Sequence, residues 1–77
     1  MEIADSARKH GLTDEQIRHA LRNTIRVLAD PDDDSLEWWI GPDESGQLVE
    51  LLVVDEACVI RVIHAMPCRP RFLRGDP

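Results

Sequence analysis

Two histidines and a group of cations are the residues of this chain best suited to chemistry: Lys9-His10, His64, Arg69 and Arg71, with Arg8, Arg22 and Arg61 as further positive groups. Imidazole gives or takes a proton near neutral pH. Ammonium and guanidinium groups neutralise phosphate charge, arginine through a rigid fork. Cutting RNA needs this set: a base for the 2′-hydroxyl, cations for the phosphorane and an acid for the leaving 5′-oxygen. Trp38, Trp39 or Phe72 could stack on a base. No metal is required, and no cofactor is expected. Each residue also has an ordinary structural reading. Arg8-Lys9-His10 suits the negative end of a helix. Arg18, Arg22 and Arg26, four apart beside His19, suit the wet face of an amphipathic one. A lone strand histidine such as His64 is commonly a hydrogen-bonded core residue.

The elements that position these groups centre on Leu48 to Met66, LVELLVVDEACVIRVIHAM. β-Branched residues pack well on a pleated surface, so this stretch predicts two antiparallel strands with the break at Asp55-Glu56. Cys58 then falls inside the second strand. Alternation puts Cys58, Ile60, Val62, His64 and Met66 on its core face, and Val59, Arg61, Ile63 and Ala65 on a face open to water or a partner. Pro67 stops the strand because it cannot donate to the ladder. Beyond it runs a basic tail, Cys68 to Arg74, with Phe72 and Leu73 as apolar anchors that could dock on the body or on another chain; Gly75-Asp76-Pro77 is expected to fray.

Upstream, Ile3, Ala7 and His10 suggest a short first helix ended by Gly11. Thr13 and Gln16 have the spacing of a capping box. Ile17, Ala20 and Leu21 begin an apolar stripe that continues at Thr24, Ile25 and Leu28. This predicts a second helix from about residue 14 to 23, followed by extended chain, although 25–29 reads as either helix or strand. Asp30 to Ser35 is a loop whose four aspartates lack the spacing of a calcium site. Leu36 to Gly41 reads as a strand, and Gly41 to Gly46 as a hairpin loop.

The expected fold class is therefore α+β: two N-terminal helices packed on a three- to four-stranded antiparallel sheet. The chain reads as a single domain, with 1–24 helical, 25–66 the sheet and 67–77 the tail. Seventy-seven residues with 43% hydrophobic content support one core. No apolar run is long enough to span a membrane and the first residues lack a signal-like apolar region, so a cytoplasmic protein is expected. Cys58 and Cys68 read as free thiols. The net charge of −6 is unusual for a nucleic-acid binder. Its distribution is uneven: acids crowd 30–37, while Arg61 to Arg74 contains none. A local basic patch survives on an acidic protein because fields decay within about 10 Å at ordinary salt.

The order of motifs resembles the BrnT family of type II toxins, small ribonucleases with a RelE-like fold. Arg8-Lys9-His10-Gly11-Leu12 is similar to the family's R-K-H-G-V/I, and Ala29-Asp30-Pro31 to its acidic D-P. Ile40-Gly41, Gly46-Gln47-Leu48 and Val59 to Ala65 are similar to its I-G, G-R-L and V-I-R-I-I-S-A run. The resemblance implies a metal-independent endoribonuclease acting on mRNA, including ribosome-associated mRNA, with a cognate antitoxin as partner. It carries Lys9, His10 and Arg61 into an RNA site. His64, Arg69 and Arg71 are assigned from chemistry and position. Met66 stands where the family has an arginine, His64 where it has serine, and Gln47 where it has a basic residue. On this reading His64, His10, Lys9 and Arg69 are catalytic, and Arg61, Arg71, Arg8 and Arg22 bind RNA. A homodimer is a further option, and a non-catalytic protein-interaction module keeping the same fold is the alternative.

Overall fold

The computed structural model describes residues 1–73. It contains β1 (Glu2–Ile3), a 3-10 turn over Asp5–Arg8, α1 (Asp14–Arg22), β2 (Arg26–Ala29), β3 (Leu36–Pro42), β4 (Leu48–Glu56), β5 (Val59–Pro67) and a closing 3-10 turn over Pro70–Phe72. The strands form one sheet in the order β1-β5-β4-β3-β2, antiparallel throughout except that β1 runs parallel to β5. The α+β class is as expected, but among the described residues there is one α-helix, not two, and the sheet is five-stranded and mixed. The first predicted helix is a single 3-10 turn. Its segment is too short to repay helix nucleation, and its leading residues pair with β5 instead, where Ala4 N–H donates to the Val62 carbonyl at 2.9 Å. Arg74 of the basic tail and Gly75-Asp76-Pro77 lie outside the described residues.

The α1 boundaries follow from local chemistry. Thr13 Oγ1 accepts from Gln16 N–H at 3.1 Å, and Gln16 Oε1 accepts from Thr13 N–H at 2.8 Å, so the capping box is complete. At the other end Thr24 Oγ1 donates to the carbonyls of Ala20 and Leu21. The chain then turns into β2, so residues 26–29 are strand and Arg26 does not continue the helical row of Arg18 and Arg22.

One sheet face carries the core. Ala7, Leu12, Ile17 and Ala20 pack there on Val49, Leu51, Val53, Val62 and Ala65. Gly41 lets α1 approach closely, since a Cβ at this position would overlap the Ala20 carbonyl. The strand alternation expected for β5 fails at Ile63. The β4–β5 register slips between Leu52 and Val53, pairing Leu52 with His64 but Val53 with Val62, so Ile63 is a bulge. Ser6 Oγ donates to the Ile63 carbonyl and holds it. Ile60, Val62 and Ala65 therefore serve the core, while His64 and Met66 turn to the opposite face. The β4–β5 break also lies later than expected. Ala57 and Cys58 take positive φ of 50° and 67° in a two-residue turn, and Cys58 is exposed there and not inside a strand. Among the described residues no helix is long and apolar enough to cross a membrane.

Candidate functional site

The face opposite α1 is where the sheet carries its polar chemistry. Cross-strand pairing aligns Leu28, Trp38, Leu52 and His64 in one row, with Arg26, Ile40, Glu50 and Met66 in the next. Glu50 is the centre. It sits mid-strand in an apolar run and its side chain is 0% exposed. A buried carboxylate must have its lone pairs satisfied. Oε1 accepts from the Arg69 backbone N–H at 3.0 Å and from Arg69 Nε–H at 2.9 Å. Oε2 accepts from Arg69 Nη2–H at 2.7 Å and from His64 Nε2–H at 3.2 Å. Burial pushes the Glu50 carboxyl up, but the hydrogen bonds from Arg69 and then His64 outweigh it and hold the group below the usual carboxylate range.

The bond to Glu50 fixes the His64 tautomer. A carboxylate only accepts, so Nε2 carries the proton and Nδ1 of the neutral ring keeps its lone pair. The His64 side chain is 24% exposed. His10, exposed after the first 3-10 turn, meets its ring edge-on, with centroids 5.2 Å apart and planes at 72°. β1 pairs with β5 only at Arg61 and Val62, leaving the edge beside His64 without a strand neighbour among the described residues. The chain leaving the 3-10 turn can therefore bring His10 round to it.

Trp38 gathers the rest. His64 stands edge-on to its ring at 5.6 Å, and Phe72 lies against it at 4.8 Å. The guanidinium carbons of Arg69 and Arg71 sit 5.8 and 5.7 Å from the same ring, and Arg71 lies 4.6 Å from the Phe72 centroid. Pro67 ends β5 and the chain folds back over this face. Phe72 is buried, and its carbonyl accepts from Arg26 Nη1–H at 3.0 Å. Leu73, the other expected anchor, is exposed. This face is therefore partly covered by the tail. Cys68 is half-buried, and burial, reinforced by the Glu50 charge, pushes its thiol up.

The sequence-predicted residues divide. His64, Arg69 and Arg71 come together around Trp38, and His10 joins them through its contact with His64. Arg69 is not a free phosphate ligand, because its guanidinium grips the buried Glu50. Lys9 is exposed next to His10, and Arg61 lies exposed further along β5. Arg8 is drawn away: its Nε donates to Asp14 at 2.8 Å and its Nη1 to Asp5 at 2.8 Å. Arg22 lies elsewhere, in a cleft of about 250 Å³ along α1 lined by Glu15, Arg18, His19, Arg22 and Glu44. There His19 Nδ1–H donates to the Pro42 carbonyl at 2.8 Å. Glu50 is the residue that sequence reasoning missed. Its signal was an acid in the middle of Leu48 to Val54. The acidic loop is internally bonded: Asp33 Oδ1 accepts from Ser35 N–H and Oγ–H, and Asp30 accepts from the Trp38 indole N–H at 3.0 Å. No family model, curated protein or solved structure matches the chain.

Proposed function

We propose that this chain is a toxin-type, metal-independent endoribonuclease acting on mRNA in the cytoplasm, held in check by an antitoxin that covers its basic end. The observation that carries this reading is the imidazole pair. His64 is oriented by a buried carboxylate, and His10 stands exposed at its edge. An imidazole held through one nitrogen by a carboxylate is set to exchange a proton through the other. In this reading His64 Nδ1 takes the 2′-hydroxyl proton. The 2′-oxygen attacks the adjacent phosphorus, and protonated His10 gives its proton to the departing 5′-oxygen. The products are a 2′,3′-cyclic phosphate and a free 5′-hydroxyl. Arg71 and Lys9 neutralise the phosphorane. Arg69 positions Glu50 and hence His64.

The test is cleavage of a labelled RNA by the purified chain in the presence of a chelator. A cyclic-phosphate product is expected, with rates falling about 100-fold or more for His64→Ala and for His10→Ala. An RNA with 2′-deoxy substitution at the cut site should resist. A folded wild-type chain that neither cleaves RNA nor arrests bacterial growth sinks the proposal. A second reading, a non-catalytic interaction module, draws on Arg69 being engaged by Glu50 and on the net charge of −6. It is favoured if a partner protein binds while no RNA is cut.

A further inference from the structure

The free edge of the sheet points to an association that is independent of the imidazole site. β2 is the terminal strand of the sheet, with no neighbour on its outer side among the described residues. The register fixes which of its backbone groups are engaged. Asp30 N–H donates to the Leu36 carbonyl at 3.1 Å, in the same ladder that pairs Leu28 with Trp38 and Arg26 with Ile40. Backbone groups alternate in direction along a strand, so those of Val27 and Ala29 point outward. At this edge Val27, which pairs with Trp39 on the α1 face, is 49% exposed, and Ile25, just before β2 with its N–H on the Ile40 carbonyl at 2.7 Å, is 68% exposed. A bare strand edge flanked by large apolar side chains is a template for another strand, and folded proteins usually blunt such edges.

We propose that β2 pairs antiparallel with β2 of a second copy, Val27 lying on the two-fold axis. The occupant follows from self-complementarity. In this register Val27 exchanges two hydrogen bonds with its counterpart, and each Ala29 N–H meets the Ile25 carbonyl of the other copy. Val27 and Ala29 of both copies then lie together on the α1 face, with the exposed Ile25 at either end of the paired segment. Charge favours the same arrangement. Running antiparallel, the chain beyond β2 of one copy heads towards the end of α1 in the other. The exposed acids Asp32 to Asp34 are thereby set beside the exposed Arg22. The two sheets become a single sheet of ten strands, and the imidazole sites sit near its far ends.

Light scattering and sedimentation of the full chain test this. The expected species has twice the 8.8 kDa chain mass. Isotope-filtered spectra of a mixed-label sample should show contacts between Val27 of one copy and Val27 of the other. Val27→Lys should yield a folded monomer, judged by unchanged amide dispersion elsewhere. Arg22→Asp and Asp32→Arg should each weaken association about tenfold, as two symmetric exposed ion pairs are lost, and the double exchange should restore it. A wild-type monomer at every concentration overturns the proposal. So does a dimer that survives Val27→Lys, or one in which the double exchange brings no recovery.

Discussion

The guanidinium of Arg69 grips both carboxylate oxygens of Glu50, at 2.9 and 2.7 Å, although the two residues lie 19 positions apart and Glu50 is wholly enclosed in β4. A fork-to-fork pair of this kind is among the stronger polar interactions in proteins. It ties the tail to the sheet and, through the shared Oε2, aims His64. Removing one partner leaves the other in an apolar setting. Arg69→Ala should cost about 3 kcal/mol, at the low end for an orphaned buried ion because Arg69 itself is 40% exposed. Glu50→Met combined with Arg69→Met should cost much less than either single change predicts. Urea unfolding of the four proteins measures the coupling.

The same pair gives stability a defined acid dependence. The carboxyl of Glu50 titrates lower in the folded chain than in the unfolded one. Its contribution is therefore fully present above the unfolded value and is lost as pH falls through the lowered folded value. Unfolding free energy should drop as pH is taken from neutral into the acid range below about 4. Glu50→Gln should flatten that slope. If the Glu50→Gln protein keeps the wild-type slope, other carboxylates set it.

Gly41 is a steric requirement. Alanine there would strike the Ala20 carbonyl and lift α1 from the sheet. Gly41→Ala should cost about 2–3 kcal/mol, as overpacking does. The readout is chemical denaturation, with near-ultraviolet circular dichroism of Trp39 as a local probe.

The β4–β5 turn should be open to improvement. Ala57 and Cys58 both hold positive φ, a conformation that suits asparagine and glycine in two-residue hairpins. Ala57→Asn with Cys58→Gly should stabilise the chain by about 1 kcal/mol or more, raising Tm by about 4–8 °C. The change removes the exposed thiol as well, and lies outside the His64 cluster.

Arg71 should report on phosphate recognition without much effect on folding. It is exposed and packs on the Phe72 and Trp38 rings, with no carboxylate partner among the described residues. Arg71→Ala should weaken RNA binding about three- to tenfold at low salt, and the loss should shrink as salt is raised. Fluorescence anisotropy with a short RNA measures both.

What was legible in the sequence was local. Thr13 and Gln16 announced the start of α1, Gly11 the bend before it, and Pro67 the end of β5, because each acts on its own few residues. Face assignment in β5 was not legible. The bulge at Ile63 has no glycine or proline to mark it, and its carbonyl is held by Ser6, 57 positions away. The consequence fell on the site itself: His64 was expected on the core face and stands on the other. Glu50 was hidden for a similar reason. An acid within an apolar run explains itself only once Arg69 has folded back on it. Residue type singled out His64, His10, Arg69 and Arg71, which lie near one another in the fold. It did not single out the organising carboxylate, and the ties of Arg8 to Asp5 and Asp14 were not foreseen either.

The parallel pairing of β1 with β5 joins residues 2–3 to residues 61–62. Such a contact spans nearly the whole described chain, and contacts of that reach form late and slow the folding reaction. During synthesis the amino-terminal strand has nothing to dock on until β5 has emerged, since chains leave the ribosome amino end first. The 3-10 turn and His10 follow that strand, and Arg69 lies further downstream still. A nascent chain therefore carries His10 and His64 apart, and they meet only after β5 and the segment that folds back over it have been made.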